Sequence, residues 1–352
     1  MLFLLASFSP SIRLSSHLVA AYGGAAGWVG ILLSCGLFYG FILLLTALFK
    51  NRANAGLHEI AGRMLGRPVA FVLSAVTAVW VFVLCGFFLR DFAERLAATI
   101  LPGTPIPFFL VILLAILAIL MTGKWIDFVR FTVICFWLVL AGFGLVLLLC
   151  LPAVKGANLW PVTTLDAVPV LSAFYPMFGI FAYLGLLLYT GDEMEGLDKL
   201  KQYGGRCTLV LLAVNAAVFL CTDGVFGPRL TASMTFPFFM AVKSIRLLGA
   251  IGRLESLFIL FWVITDIAIA AMLLHVLTSL LGKLTKVNDP VLMRTPLLLG
   301  LYIFSLCIVR SLFELTRFEE TVVLAGNIIL GIGVPVVLWG VMRLRRKLKM
   351  EN

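Results

Sequence analysis

The sequence has little charge for its length. Of its 352 residues, 12% are Asp, Glu, Lys or Arg and 62% are apolar, and the mean hydropathy is +1.12. An ordinary soluble domain has about a quarter of its residues charged. This scarcity of charge excludes a soluble globular protein, because so much apolar surface can be buried only in lipid and between lipid-embedded helices.

The sequence also lacks the short motifs of metal sites and of common hydrolases. Its three histidines, His17, His58 and His275, are widely separated, and its seven cysteines form no Cys-x-x-Cys pair. No Gly-x-Ser-x-Gly, His-Glu-x-x-His or P-loop pattern is present. We therefore expect free thiols, no metal, no cofactor and no enzymatic activity. His275 is interpreted as a polar contact rather than a proton carrier.

Long apolar runs, in contrast, recur along the whole chain. They are continuous rather than alternating with a period of two, so helices and not barrel strands are predicted to span the membrane. No polar stretch is long enough for a soluble domain, and residues 1–352 are predicted to form one all-α transmembrane domain with a basic tail at 343–352. Ten spans are predicted, at about residues 2–22, 27–49, 68–92, 107–122, 131–151, 169–190, 207–225, 254–281, 295–310 and 321–342.

The positive charges orient these spans. An even number of spans places both termini on one side of the membrane. Of the 27 lysines and arginines, 17 fall in the loops after even-numbered spans and in the tail, against nine in the opposite loops. The positive-inside rule assigns the first set, and therefore both termini, to the cytoplasm. The net charge of +10 is then explained by topology and by attraction to anionic lipid, so no nucleic-acid partner is expected.

Two apolar runs are interrupted by proline and small residues. Ser9 to Arg13 interrupts the first span about 12 Å from its start, and Tyr175 to Gly179 interrupts the sixth. Broken helices at corresponding positions of two halves are typical of transporters built from inverted repeats. We therefore predict two five-helix repeats, about residues 1–151 and 169–342, with helices one and six broken. A cleaved signal peptide and a misassigned start codon are alternatives for the first span.

Asp266 is the strongest single functional candidate. It lies about 18 Å into span eight, where a carboxylate must be paired, protonated or in a water-filled cavity. Arg13 lies at a similar depth in span one. Our hypothesis is that Arg13 and Asp266 pair across the site, so that the arginine takes the place of a sodium ion. In the alternative, Arg13 reaches the interface and Asp266 is a protonated packing residue.

Other polar and small residues are assigned structural roles. Gly36 and Gly40 form a Gly-x-x-x-Gly pair that predicts close helix packing, and Asn215 and Asn327 are predicted to form hydrogen bonds between helices. Residues 235–250 are predicted to form a short amphipathic helix over the outer mouth. Four acidic residues are interpreted as a solvated loop: Asp192, Glu193, Glu195 and Asp198.

Four short segments resemble a known family. Asn158-Leu159-Trp160-Pro161-Val162 precedes span six, and Phe236-Pro237 lies in the loop before span eight. Arg253-Leu254-Glu255 leads into that span, and Leu101-Pro102-Gly103-Thr104-Pro105 follows span three. In this order the chain resembles the spore permease family, the membrane B subunits of Ger-type spore germinant receptors within the amino acid/polyamine/organocation superfamily.

The resemblance implies a ten-helix fold of the amino acid transporter type, with a pocket for a small nutrient among spans one, three, six and eight. It also implies assembly with an A subunit and a lipoprotein C subunit in the spore inner membrane. Carried onto this chain, it implies seven ligand-binding residues: Ser9, Ser11, Phe82, Gly86, Phe178, Gly179 and Thr265.

The expected function is therefore that of a receptor subunit that binds a small, amino acid-like nutrient and triggers germination together with its partners. The alternative is an amino acid/cation symporter, which predicts ligand-dependent uptake by this chain alone. A membrane-embedded enzyme is the least supported class, because it would require a catalytic His or Cys that faces a substrate and has a base partner, and no catalytic motif is present.

Overall fold

The computed structural model describes residues 1–50, 55–160, 162–194, 199–244, 254–287 and 290–350. Within these ranges the chain is helical and contains no strand. The helices are α1 (Leu2–Gly23), α2 (Gly27–Phe49), α3 (Leu57–Leu65), α4 (Arg67–Thr99), α5 (Ile106–Leu120), α6 (Trp125–Cys150), α7 (Ala167–Ser172), α8 (Phe174–Leu187), α9 (Leu200–Phe226), α10 (Pro228–Ser233), α11 (Pro237–Ser244), α12 (Leu254–Thr285), α13 (Pro290–Cys307), α14 (Leu312–Phe318), α15 (Leu324–Asn327) and α16 (Val334–Met350).

The chain divides into two compact units. Unit one comprises Met1–Gly40, Val129–Phe181 and Gly204–Ala268. Unit two comprises Phe41–Phe128, Ala182–Tyr203 and Ile269–Asn352. Each unit contains residues from both halves of the sequence. The two predicted repeats, at 1–151 and 169–342, stay a prediction.

Seven helical stretches of the described residues are long and apolar enough to cross a membrane. They are Leu2–Phe49, Arg67–Thr99, Trp125–Ala153, Thr164–Glu193, Leu200–Phe226, Glu255–Thr285 and Leu312–Arg345. The first contains both α1 and α2, joined by a 3-10 turn, and two shorter apolar helices lie at Ile106–Leu120 and Met293–Cys307. These helices support an integral membrane protein, while the ten-span arrangement in two repeats stays a prediction.

Helix α1 is continuous, so the predicted break at Ser9 to Arg13 is wrong. Pro10 lies inside the helix and removes one backbone donor. Ser7 and Ser16 donate their hydroxyls to carbonyl oxygens four residues earlier, at 2.7 and 2.6 Å, and so bond within the helix. Opening a turn among apolar side chains would leave several backbone groups unsatisfied, which costs more than the single bond that proline removes.

The sixth predicted span is interrupted, but not where we expected. Residues Tyr175 to Gly179 lie within α8, so the predicted break there is wrong. Pro176 stands in the first turn of α8, where backbone N–H groups have no acceptor within the helix and a proline is tolerated. The interruptions are a turn at Ala173 and a 3-10 helix at Leu188–Glu193.

Glycine allows close helix packing at a pair other than the predicted one. Gly36 and Gly40 are exposed, and a Cβ atom built on either meets no atom of the described chain within 4 Å, so their predicted packing role is wrong. In unit two, a Cβ atom on Gly185 of α8 would overlap the carbonyl of Gly331. Gly331 lies in a π-helical segment, Ile328–Gly333, so α8 and this segment meet backbone to backbone.

The two buried asparagines differ in role. In unit two, Trp80 Nε1 donates to Asn327 Oδ1 at 3.0 Å, which confirms the predicted bond between helices. In unit one, Asn215 Nδ2 donates to a carbonyl of its own helix at 2.7 Å, so the prediction for this residue is wrong. Of the helix predicted over 235–250, the structure shows α11, and residues 245–250 lie outside the described residues.

Candidate functional site

Asp266 of α12 is the centre of the polar site in unit one. It is 5% exposed, and its Oδ1 accepts a hydrogen bond from Ser9 Oγ of α1, which is 2% exposed. The two residues are far apart in sequence, so this bond joins two helices within an apolar core. A hydrogen bond to a carboxylate is stronger than one between neutral groups, and it offsets part of the cost of burying the charge.

Arg13 lies one turn after Ser9 on the same helix. Because residues four apart share a helix face, Arg13 and Ser9 lie on the same side of α1. Arg13 is buried, with 9% of its surface exposed. The structure therefore brings Arg13 and Asp266 into the same unit, and a direct ion pair between them stays a prediction.

The other predicted ligand residues of unit one are also buried or half-buried. Thr265 is fully buried and donates its hydroxyl to the carbonyl of Trp262 at 2.7 Å, within α12. Ser11 is fully buried, and its hydroxyl has no hydrogen-bond partner in the part of the chain that the structure describes. Phe178 is half-buried and Gly179 is buried, both within α8.

A chain of aromatic rings connects the two helices that carry the Ser–Asp contact. It begins at Phe8, next to Ser9 in the sequence, and ends at Trp262, one helical turn before Asp266. The rings between them are Phe143, Phe238 and Phe258. Successive ring centroids lie 5.6, 5.3, 5.3 and 5.3 Å apart. Such apolar surroundings lower the local dielectric constant and strengthen the hydrogen bond to Asp266.

The two ligand residues predicted on span three lie in unit two. The rings of Phe82 and Phe304 have centroids 5.3 Å apart, and a Cβ atom on Gly86 would overlap the same Phe304 ring. Both residues therefore pack α4 against α13. Of the seven predicted ligand residues, five lie in unit one and these two in unit two.

A charged cluster that the sequence did not indicate lies in unit two around Lys283 of α12. Lys283 Nζ donates to Asp192 Oδ1 at 2.7 Å and to the carbonyl oxygen of Tyr189 at 3.0 Å. It also lies 3.2 Å from Glu59 Oε1. Asp192 is thus an ion-pair partner of Lys283. The prediction that Asp192 is a solvated loop residue is wrong. The loop charges had placed Lys283 and the loop of Asp192 on the same side of the membrane. This shared side could have suggested the contact between them.

Glu193 belongs to a second part of this cluster. Its Oε2 is 2.8 Å from His275 Nε2, and its Oε1 accepts a hydrogen bond from Ser279 at 3.1 Å. The imidazole of His275 stacks on Trp125, with centroids 3.7 Å apart and ring planes 5° apart. The predicted role of His275 as a polar contact is confirmed, and Glu193 is exposed as predicted while also contacting His275 and Ser279. The other two acidic residues of that loop lie outside the described residues: Glu195 and Asp198.

Comparison with known proteins identifies the family. A family model described as spore germination protein matches residues 6–312, which is most of the chain. The chain belongs to the spore permease family. Spore germination protein KB of Bacillus subtilis (strain 168) is 23% identical over 313 residues, which cover 86% of this chain and 83% of that protein. The resemblance expected from the local motifs is thus confirmed, and the chain is a permease-like membrane protein of spore germination.

The spore permease match includes both polar sites. Residues 6–312 contain the Ser9–Asp266 contact and the charged cluster around Lys283. The family consists of permease-like germination proteins and is not a known class of enzymes. Among the residues that the structure describes, no group of three or more His, Cys, Asp or Glu side chains is arranged to hold a metal ion.

Replacing Lys283 by methionine should destabilise this spore permease by about 2 kcal/mol, because the variant leaves Asp192 and Glu59 without their shared cation. The expected fall in Tm is roughly 2–4 °C, measured by thermal unfolding of the purified protein in detergent. The exposed Lys124 provides the control, since Lys124→Met should change Tm by less than about 1 °C. Equal Tm values for the two variants would contradict a stabilising role of the cluster.

Proposed function

We propose that this chain is the membrane-embedded subunit of a germinant receptor, which binds a small, amino acid-like nutrient and triggers germination together with partner subunits. Membership of the spore permease family and the relation to spore germination protein KB support the role in germination. The observation that carries the proposal is the bond between Ser9 and Asp266, a buried carboxylate tied to a second helix.

In the proposed mechanism, Asp266 receives the ammonium group of the nutrient. Ser9 holds the carboxylate in position, and Arg13 on the same face of α1 balances its charge before the nutrient arrives. A ligand shifts a conformational equilibrium only by its differential affinity for the two states. An ammonium group that replaces the arginine at Asp266 changes the α1–α12 contact, and this change is the proposed signal. Ser11, Thr265 and Phe178 with Gly179 complete the proposed pocket in unit one.

The proposed setting follows from the loop charges and the family. The chain spans the spore inner membrane ten times in two five-helix repeats, with both termini in the cytoplasm. An A subunit and a lipoprotein C subunit complete the receptor. In this arrangement, the permease-like subunit binds the nutrient and its partners carry the response.

An amino acid/cation symporter is the second candidate. The buried carboxylate of Asp266 favours it, because a carboxylate in a membrane core is a typical proton carrier of transporters. The two functions differ in what the chain does alone. A symporter accumulates its substrate without partner subunits, whereas a receptor subunit needs only to bind it.

Deleting the gene from the spore-forming host should abolish germination in response to at least one amino acid-like nutrient, and the wild-type gene should restore it. The response is measured as the fall in optical density of a spore suspension. Proteoliposomes that contain this chain alone, with an imposed proton or sodium gradient, should accumulate none of that nutrient. Uptake by these vesicles together with normal germination of the deletion strain would favour the symporter.

A further inference from the structure

Unit two contains a cavity that the proposed nutrient site does not use. Its volume is about 460 Å³, within the range of small-molecule sites. Its lining includes the polar residues Glu193, His275 and Arg294 and the apolar residues Leu117, Leu120 and Leu274. None of these residues belongs to the site around Asp266.

Arg294 supplies positive charge to the cavity. One of its terminal nitrogens, Nη2, donates to the carbonyl oxygen of Met121, which fixes the guanidinium plane. Its Nε is buried and has no hydrogen-bond partner among the described residues. A buried donor without an acceptor is unfavourable, and the planar edge of a guanidinium matches a carboxylate. Arg294 is therefore suited to bind a carboxylate that enters the cavity.

Glu193 supplies negative charge to the same cavity. His275 Nε2 at 2.8 Å and the Ser279 hydroxyl at 3.1 Å hold its two oxygens, and the ring of His275 is itself held by the stack on Trp125. Each carboxylate oxygen accepts more than one hydrogen bond. Glu193 is thus oriented by its neighbours and still able to accept a bond from an ammonium group.

The charge of Lys283 is already paired within the protein. Lys283 contacts the carboxylates of Asp192 and Glu59. Glu193 and Arg294 are the other acidic and basic residues of the cavity lining, and they carry opposite charges. Glu193 disfavours a dianion such as phosphate and Arg294 disfavours a simple cation, whereas a ligand with both charges is matched.

We infer that this cavity is a second small-molecule site, which binds an apolar amino acid as its zwitterion. The carboxylate of the ligand binds Arg294, its ammonium group binds Glu193, and its side group contacts the leucines of the lining. The inference goes beyond the proposed nutrient site, because it assigns a ligand to residues of unit two alone.

The test uses the purified full chain carrying Asp266→Asn, which removes the proposed nutrient site. Binding of alanine, valine, leucine, isoleucine, methionine and phenylalanine is measured by equilibrium dialysis with labelled ligand. At least one of them should bind, and more tightly than inorganic phosphate or than its own carboxylate-only or amine-only analogue. Binding should fall at least tenfold in Arg294→Gln and in Glu193→Gln, and less in Arg294→Lys.

Two further variants keep the test decisive if a charge variant misfolds. Gly282→Leu fills the cavity without removing a polar group, and a Cβ atom there would lie 3.5 Å from its nearest neighbour, the carbonyl oxygen of Val287. Leucine also favours the helix more than glycine does, so this variant should fold and lose binding. Arg63→Gln, at an exposed arginine of α3, should bind normally.

Three results would overturn the inference. The first is that none of the six amino acids binds to the Asp266→Asn protein. The second is that binding is unchanged in Gly282→Leu. The third is that phosphate or a single-charge analogue binds as tightly as the amino acid. Loss of germination in Asp266→Asn spores tests the proposed function separately, because that variant leaves the cavity intact.

Discussion

Replacing Asp266 by asparagine should raise the nutrient concentration for half-maximal germination by about tenfold or more. Asparagine keeps the size of the side chain and removes its charge, so a charge-assisted bond to an ammonium group is lost. Such bonds contribute about 1.5–3 kcal/mol, which corresponds to roughly 10- to 150-fold in affinity. The measurement is the fall in optical density of spores as a function of nutrient concentration, at matched levels of the variant and wild-type proteins.

Two serines of α1 provide a matched pair for this prediction. Ser9 Oγ bonds Asp266, whereas Ser15 Oγ bonds the carbonyl of Ser11 in its own helix. Ser9→Ala should shift the response in the same direction as the Asp266 variant, and Ser15→Ala should leave it within about twofold of the wild type. An unaltered response in the Asp266→Asn spores would remove this carboxylate from the mechanism.

Replacing Gly185 by alanine should destabilise the protein by about 3 kcal/mol or more, although alanine is the better helix former. A Cβ atom at this position would overlap the carbonyl of Gly331, and backbone atoms cannot move aside as a flexible side chain can. The two helical segments must therefore separate, which removes the contacts around them. We expect a fall in Tm of roughly 3–6 °C or a loss of folded protein, measured by thermal unfolding in detergent.

Gly340→Ala is the control, because a Cβ atom there meets no atom of the described chain within 4 Å. This variant should raise the stability by up to about 1 kcal/mol through helix propensity. Gly36→Ala should behave like the control, although the Gly-x-x-x-Gly pattern had predicted close packing there. The packing argument would be contradicted if Gly185→Ala and Gly340→Ala changed Tm in the same direction.

The break predicted in α1 shows where local sequence rules are insufficient. Ser9-Pro10-Ser11 is a pattern that interrupts helices in water, where the freed backbone groups bind solvent. In this chain Ser7 and Ser16 donate their hydroxyls back to the helix, and α1 continues through Pro10. The surroundings of the helix decide between these outcomes, and they are made of residues distant in sequence.

Asp266 could be identified as a candidate site residue from the sequence alone. Its position deep in an apolar run is sufficient to make it a candidate, because the cost of burying a carboxylate depends on its depth and not on its partners. The sequence also pointed to Arg13 by its similar depth and to Ser9 by the resemblance to the spore permease family. That the Ser9 hydroxyl bonds the carboxylate depends on the rotation of two helices about their axes, which spacing along the chain leaves open.

The membrane class and the family follow from the sequence alone. These properties are sums over residues or local matches, and they hold whichever way the helices pack. Only the tertiary structure decided which hydroxyl bonds Asp266, which carboxylates share Lys283 and which glycines meet. Each of these contacts joins residues far apart in the chain, and it forms only when the rotation and axial position of both helices bring the two groups within bonding distance.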